Sequence, residues 1–388
     1  MTFTKLSPMT VRLAAFYAAS FLIVGIQLPF WPVWLSGRGL DASEIATVFA
    51  AALWAKVAVT PAIGALADRL GGRRAVMVGL AATALGFYVA LLPAAGFWPI
   101  LWLSLAAGVA QSALMPLGDS ITLAAVRERG FDYGRIRVWG SVSFIVAALA
   151  SGLILAVLPG AAPGNRVLWL VLGGIVLLLG ACLALPPAGS PLAATARWAA
   201  LAGFAANRRF WLFVVSASAL QSSHQLYYGF GTLYWRRLGF SAPVIGALWA
   251  EGVLAEIALF WLGGRLTARL GPFGLMALSG IAGIVRWSLA GILPGLPAAA
   301  MLQLLHALTF GAAHLGAMMH LSRTVPPDAA ASAQTLYAAV SAGLGSGLVM
   351  LGAGALYARF GGHAYLFMAG ISALGLAGVA RLARLSAG

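Results

Sequence analysis

Apolar positions in this chain run in long unbroken stretches, without the two-residue alternation of half-buried strands. Stretches long enough to cross roughly 30 Å of hydrocarbon fall near 12–35, 43–66, 75–92, 99–123, 137–158 and 166–185. A second set falls near 210–233, 243–263, 273–292, 297–319, 333–356 and 364–380. Short Gly/Pro turns separate them, such as Leu92-Pro93-Ala94-Ala95-Gly96. The pattern predicts an all-α membrane protein of twelve transmembrane helices. Its expected parts are an N-terminal six-helix bundle (1–185), a less apolar central linker (186–209) and a C-terminal six-helix bundle (210–388). The first stretch is too long for a signal-peptide core and is expected to be retained.

Composition agrees. Of 388 residues, 62% are hydrophobic and 9% charged, against about a quarter charged in ordinary soluble domains. A soluble enzyme, a disordered chain and a secreted disulfide scaffold are thereby excluded. The single cysteine, Cys182, has no intramolecular partner.

The net charge is +15, and its distribution explains it. Five basic residues, Arg38, Arg166, Arg236, Arg237 and Arg359, fall in loops opposite the N-terminus, and Lys56 and Arg286 fall within stretches. The remaining 17 of the 24 lie on the N-terminal side, Lys5 and Arg197 among them. This bias places both termini in the cytoplasm. It orients the protein and does not advertise a nucleic-acid partner.

Twelve stretches about a polar centre invite a search for repeats. Gly64-Ala-Leu66-Ala-Asp68-Arg69-Leu-Gly71 is answered 200 positions later by Gly264-Arg-Leu266-Thr-Ala268-Arg269-Leu-Gly271. Gly39, Ala42 and Ile45 are answered by Gly239, Ala242 and Ile245. The first loop, continued through Arg73 and Arg74, resembles the signature loop of the major facilitator superfamily. That resemblance implies two bundles around a central cavity opened alternately to each side. Asp68, Arg69 and Arg73 would then latch one conformation, or serve only as a topological anchor.

Other segments resemble the phenylpropionate permease branch, relatives of lactose permease. They are Leu28-Pro29-Phe30-Trp31, Pro116-Leu117-Gly118-Asp119, Asp132 to Ser141, Tyr227-Tyr228-Gly229-Phe230, Ala255-Glu256, Val285-Arg286-Trp287, and His306 with Thr309, Phe310 and His314. The branch implies a bacterial inner membrane, a small-molecule substrate and protons as partners, and a protein working as a monomer among lipids. Its Arg–carboxylate–His coupling group would fall on Glu256, Arg286 and one of His306 or His314.

Ionisable groups within a bilayer are expensive and default to functional roles. Lys56 and Glu256 are 200 residues apart, hence at equivalent points of the second and eighth stretches. They form either two poles of one site or two separately neutralised charges. Glu256 is the expected proton carrier, because a carboxyl group alternately dried and wetted can load and release a proton. Glu251 lies about 140° around the helix from it and reads as a gate or as an interfacial carboxylate.

On an ideal helix Gln303, His306, Phe310 and His314 share one face. Gln221, His224, Gln225 and Tyr228 form a second polar stripe at i, i+3, i+4 and i+7. Both read as cavity walls. Gln111, Met115 and Asp119 follow i, i+4, i+8, and Asp119 with Arg135 and Arg137 forms either an inner gate ion pair or a substrate contact. Trp31 and Trp34 are cavity aromatics or belt tryptophans.

No Walker motif, nucleotide fingerprint, metal-ligand spacing or Ser/His/Asp signature is present, so neither a cofactor nor an enzymatic activity is expected. The expected function is proton-coupled symport of an aromatic monocarboxylate such as 3-phenylpropionate. Sugar or nucleoside symport and drug/proton antiport are the alternatives.

Overall fold

The computed structural model describes residues 7–157, 163–186, 206–326 and 329–387. Lys5, Arg197 and most of the expected linker (187–205) lie outside the described residues. Within them the secondary structure is helical, with no strand. The helices are α1 (Pro8–Gly37), α2 (Ala42–Leu70), α3 (Arg73–Ala90), α4 (Phe97–Ser112), α5 (Leu114–Arg129), α6 (Tyr133–Val157) and α7 (Pro163–Ala184). Then follow α8 (Arg208–Ser222), α9 (Gln225–Arg237), α10 (Ala242–Leu262), α11 (Gly264–Ile292), α12 (Leu296–Leu304), α13 (Ala313–Thr324), α14 (Ala330–Ala338), α15 (Ser346–Phe360) and α16 (Tyr365–Ala387). Two π-helical segments, Ala307–Ala312 and Ala339–Gly345, join α12 to α13 and α14 to α15.

Ten helical segments among the described residues are long and apolar enough to cross a membrane. The last covers Ser332–Ser386, 55 residues. The apolar stretch near 210–233 is divided between α8 and α9, which meet at Ser223 and His224. With multiple apolar spans and a chain this poor in charge, the protein is an integral membrane protein.

The 200-residue repeat is written into the backbone. Gly39 and Gly239 adopt φ of 84° and 85°, and Gly71 and Gly271 adopt 64° and 62°. Only glycine enters that region without strain. At the first pair the chain closes in the same way twice: Gly39 N–H donates to Ser36 O and Gly239 N–H to Arg236 O, each at 3.0 Å. At the second pair the copies diverge. Gly71 separates α2 from α3, whereas Gly271 lies within α11 as a non-helical break before Pro272.

The described chain forms two compact units. One draws on 1–40, 55–193 and 241–250, the other on 41–54, 194–240 and 251–388. The division cuts α2 after Trp54 and α10 after Ala250.

In the first unit α1 packs along α6 and α7, burying Leu13, Phe16, Ile23, Phe30 and Trp34. Small residues permit the close approach, as in membrane bundles generally. A Cβ on Gly25 would strike the backbone of Phe144, and one on Gly246 in α10 would strike the carbonyl of Ala148 in α6. In the second unit α8, α11, α13 and α16 share a core containing Phe213, Val214, Met276, Ala317, Leu321 and Val379. Gly354 in α15 lies against Ala42 and Ala46 of α2.

Candidate functional site

The second unit contains a buried polar network centred on Arg286 of α11, which is 1% exposed. Its Nη1 donates to Thr309 Oγ1 at 2.9 Å and its Nη2 to Gln303 Oε1 at 2.7 Å. Nη1 also lies 3.2 Å from His306 Nδ1. The guanidinium carbon sits 4.5 Å from the Trp287 ring centre and 5.1 Å from that of Tyr227. A buried cation needs several partners to offset its lost hydration, and an amide, a hydroxyl, an imidazole and two aromatic faces supply them. Gln303 passes the contact on, its Nε2 donating to Tyr227 OH at 2.7 Å.

The local backbone explains how Thr309 reaches Arg286. A turn at Leu305 and the π-helical segment Ala307–Ala312 interrupt the α-helical register. Segments of this kind recur at functional sites. Here the Thr309 carbonyl accepts from Ser279 Oγ of α11 at 2.6 Å, while its hydroxyl meets His224 Nε2 at 3.0 Å.

The histidine tautomers follow from these partners. His224 Nδ1 faces the carbonyl of Gln221 at 3.1 Å and carries the proton, so its Nε2 accepts. His306 Nδ1 accepts from Arg286, so its Nε2 carries the proton in the neutral ring. That Nε2 faces Glu256 Oε2 at 3.9 Å. Glu256 is reached by Arg286 through His306, whose Nε2 proton faces the carboxylate.

The other expected residues take distinct places. His314 is exposed, and stacks on Phe310 with ring centres 6.4 Å apart and planes within 5°. Phe310 stacks in turn on His306 at 5.4 Å, so these three rings share a face despite the π-segment. The polar stripe expected on one continuous helix is broken at Ser223 and His224: His224 is fully buried, Gln225 is buried, and Tyr228 stacks on His224 at 5.8 Å. Glu251 is partly buried, one residue from Gly252, which lies against His306.

In the first unit Gln111 joins a ring that sequence reading missed. Gln27 Nε2 donates to Tyr88 OH at 2.6 Å, Tyr88 donates to Gln111 Oε1 at 3.0 Å, and Gln111 Nε2 returns to Gln27 Oε1 at 3.4 Å. Trp31 meets Tyr88 edge to face and stacks on Trp34 at 4.5 Å; both tryptophans are buried. The Gln111–Met115–Asp119 stripe is broken by a turn at Ala113.

Asp119 corrects an expectation. Its Oδ1 accepts from Tyr17 OH at 2.5 Å and from Tyr133 OH at 3.1 Å. No ion pair with Arg135 or Arg137 forms among the described residues. Arg135 is exposed at the start of α6, and Arg137, two residues on, lays its guanidinium 4.0 Å from the Phe21 ring centre. The guanidinium is held by ring faces on α1 before it can reach the carboxylate.

Lys56 is exposed on the part of α2 that belongs to the first unit. At the end of α2, Asp68 accepts from Arg73 Nη2 at 2.7 Å, Arg69 is exposed, and Arg74 donates to the Leu183 carbonyl. The Asp68–Arg73 pair spans five residues, so it ties one turn together. Among the described residues no group of three or more His, Cys, Asp or Glu is placed to hold a metal.

Sequence reading did not single out Tyr17, Gln27, Tyr88, Tyr133, Tyr227 or Thr309 as site residues. A hydroxyl or amide at mid-stretch between apolar neighbours was the available signal. It is weak, because tyrosine and threonine also serve as ordinary packing residues.

Residues 10–369 match the MFS_1 like family. The probable 3-phenylpropionic acid transporter of Escherichia coli (strain K12) is 32% identical over 375 residues, covering 93% of this chain and 94% of that protein. The maltose permease of Geobacillus stearothermophilus is 29% identical over 366 residues, 91% of this chain and 89% of that protein. The crystal structure of the nucleoside transporter NupG aligns with a TM-score of 0.85, covering 96% of this chain and 98% of that one at 17% identity, a likeness of fold alone. These relatives are membrane transporters, and the chain belongs to the MFS_1-like family of major facilitator transporters.

Proposed function

We propose that this protein is a proton-coupled symporter that imports a small aromatic monocarboxylate, such as 3-phenylpropionate, by alternating access. The observation carrying the reading is the buried line Arg286–His306–Glu256, which joins a fixed cation to a partly buried carboxyl through a titratable ring. Glu256 takes up and releases the proton, His306 presents its Nε2–H to the emptied carboxylate, and Arg286 favours the anion when the carboxyl empties. His314 continues the ring stack beyond Phe310. The name of the Escherichia coli relative supports the solute class.

Lys56 supplies positive charge for the substrate carboxylate. His224, Gln225, Tyr228, Gln303 and Glu251 line the substrate path, while Asp68, Arg69, Arg73, Asp119, Arg135 and Arg137 take part in gating. The ten apolar segments become twelve crossings when Ser332–Ser386 is counted as two and α8–α9 as one more. Basic residues then place both termini in the cytoplasm of a bacterial inner membrane. The functional division is two six-helix bundles, 1–185 and 210–388, joined by the linker 186–209, in a monomer.

Sugar or nucleoside symport is the second reading, favoured by the Gln27–Tyr88–Gln111 ring beside Trp31, which offers neutral donors and acceptors to hydroxyl groups. Uptake of labelled 3-phenylpropionate into proteoliposomes under an inward proton gradient separates the two. Saturable accumulation above protein-free vesicles, lost with an uncoupler, supports the acid. Absence of uptake by folded protein, with accumulation of a sugar or nucleoside, supports the second reading.

A further inference from the structure

Ser218 and Ser222 stand one turn apart near the end of α8, and Ser346 opens α15 directly after the π-helical segment Ala339–Gly345. All three are buried, at 7%, 1% and 3% exposed. Hydroxyls this far from water ordinarily direct their hydrogen bonds to their own helices. Ser216, Ser372 and Ser386 do so, each donating to the carbonyl four residues back. Ser218 does not: its Oγ is enclosed and has no hydrogen-bond partner.

Ser346 Oγ donates its one proton to the Ser341 carbonyl at 2.8 Å. Ser222 Oγ, 3.3 Å from Ser346 Oγ, is then the donor across that gap, which is longer than the ~2.5–3.0 Å of a good O–H···O bond. The three serines meet beside Gly345. A Cβ there would stand 3.1 Å from the Val340 carbonyl oxygen, 3.4 Å from Ser222 Oγ and 3.6 Å from Ser218 Cβ. The absent side chain leaves a cradle lined by oxygens. Hydroxyl and carbonyl oxygens carry two lone pairs each, so every one of them keeps a lone pair for a ligand.

Oxygen lone pairs that converge on one space repel an anion and suit a hard cation. The break between α8 and α9 adds to this, because the carbonyl end of an interrupted membrane helix carries the negative pole of its dipole. Charge and size narrow the choice. The cluster contains no carboxylate, so a divalent ion would be left unbalanced. Ligands at right angles around a calcium-sized ion, with bonds of roughly 2.3–2.6 Å, stand about 3.3–3.7 Å apart, which matches the Ser222–Ser346 spacing. Sodium has that size with a single charge. We propose that Ser218, Ser222, Ser346 and the Val340 carbonyl form a sodium-binding site between α8 and the π-helical start of α15. The ion takes lone pairs from the three hydroxyls, Ser346 keeps its bond to the Ser341 carbonyl, and water completes the shell. The site shares no residue with the Arg286–His306–Glu256 line and stands whichever solute is transported.

Equilibrium binding of radiolabelled sodium to the purified full chain in detergent, with choline chloride holding the ionic strength constant, tests the site without any substitution. Binding should saturate at one ion per chain, and KCl should compete at least tenfold less well than unlabelled NaCl. Ser218→Ala removes a hydroxyl that makes no hydrogen bond, so its melting temperature in choline chloride should equal that of the unsubstituted protein. Its affinity for sodium should fall at least tenfold. Gly345→Ala places a methyl group in the cradle and should weaken binding as much. Replacing choline chloride by NaCl should raise the melting temperature of the unsubstituted protein, because an ion bound only to the folded chain stabilises it. Neither variant should show that rise. Absence of saturable binding to the unsubstituted protein overturns the site and leaves water as the occupant of the cluster. Binding that survives unchanged in either variant places the ion elsewhere and overturns it too, as does equal competition by potassium.

Discussion

His306 lies between Arg286 and Glu256, its Nδ1 3.2 Å from the Arg286 guanidinium and its Nε2 3.9 Å from the Glu256 carboxylate. An arginine–carboxylate pair in direct contact holds the anion continuously. With an imidazole interposed, the carboxyl can change protonation while the cation keeps its bonds to Thr309 and Gln303. That separation is what a coupling group needs if the proton is to leave at one stage of the cycle and return at another.

Glu256→Gln keeps the size of the side chain and removes its proton chemistry. Proton-driven accumulation should fall at least tenfold, while counterflow exchange should persist and lose its dependence on pH. Unchanged accumulation in proteoliposomes would remove Glu256 from the coupling role.

Lys56→Ala removes a cation from the exposed part of α2. Binding of 3-phenylpropionate should weaken about tenfold, roughly 1.4 kcal/mol, while its amide binds as before. Equal losses for acid and amide in a calorimetric titration would make Lys56 a structural residue.

Tyr17→Phe deletes the shorter of the two hydrogen bonds to Asp119. It should lower stability by about 1–3 kcal/mol, seen as a lower melting temperature in detergent. Arg135→Ala, on the exposed start of α6, should leave that temperature unchanged. The reverse result would restore the arginine as the partner of Asp119.

Gly246→Val places a side chain against the Ala148 carbonyl. Backbone atoms there cannot swing aside, so overpacking should cost about 1–3 kcal/mol. Gly86→Ala, where a Cβ meets nothing within 4 Å, should match the unsubstituted protein. Equal melting temperatures for all three would mean that α6 and α10 do not pack as described.

The repeat was legible in the sequence because its anchors are glycines at turns. Gly39 and Gly239 recur with φ angles one degree apart, and a left-handed turn leaves a residue-type signature wherever it occurs. The charged members of the site were legible for a related reason: in a chain this apolar, a buried arginine or a glutamate stands out and needs a use. Among the neutral members Gln303 was legible from its helix face, whereas Thr309 and Tyr227 were not. Thr309 and Tyr227 look like packing residues until the fold brings Arg286 to them.

Geometry within the helices was legible only in part. An ideal wheel placed His306, Phe310 and His314 on one face, and their rings do stack, but it assumed continuous helices through Leu305 and His224. Turns interrupt the chain at both, and π-helical winding follows at Ala307–Ala312. Asp119 was matched to arginines by charge, whereas the tyrosines of α1 and α6 reach it first.

The sequence by itself determined that this is a helical membrane protein, internally duplicated, with a few ionisable groups along its apolar stretches. Hydrophobic length, glycine turns and charge are properties of single residues and their spacing, and they survive without knowledge of neighbours. The tertiary structure alone decided which groups touch: the order Arg286–His306–Glu256, the tyrosines on Asp119, and the rings of Tyr227 and Trp287 against Arg286. Those depend on where helices break and how closely small residues let them approach, and the bonds to Asp119 and between Arg286 and His306 join residues from 14 to 102 positions apart. Over such distances a local pattern carries no information about which side chains meet.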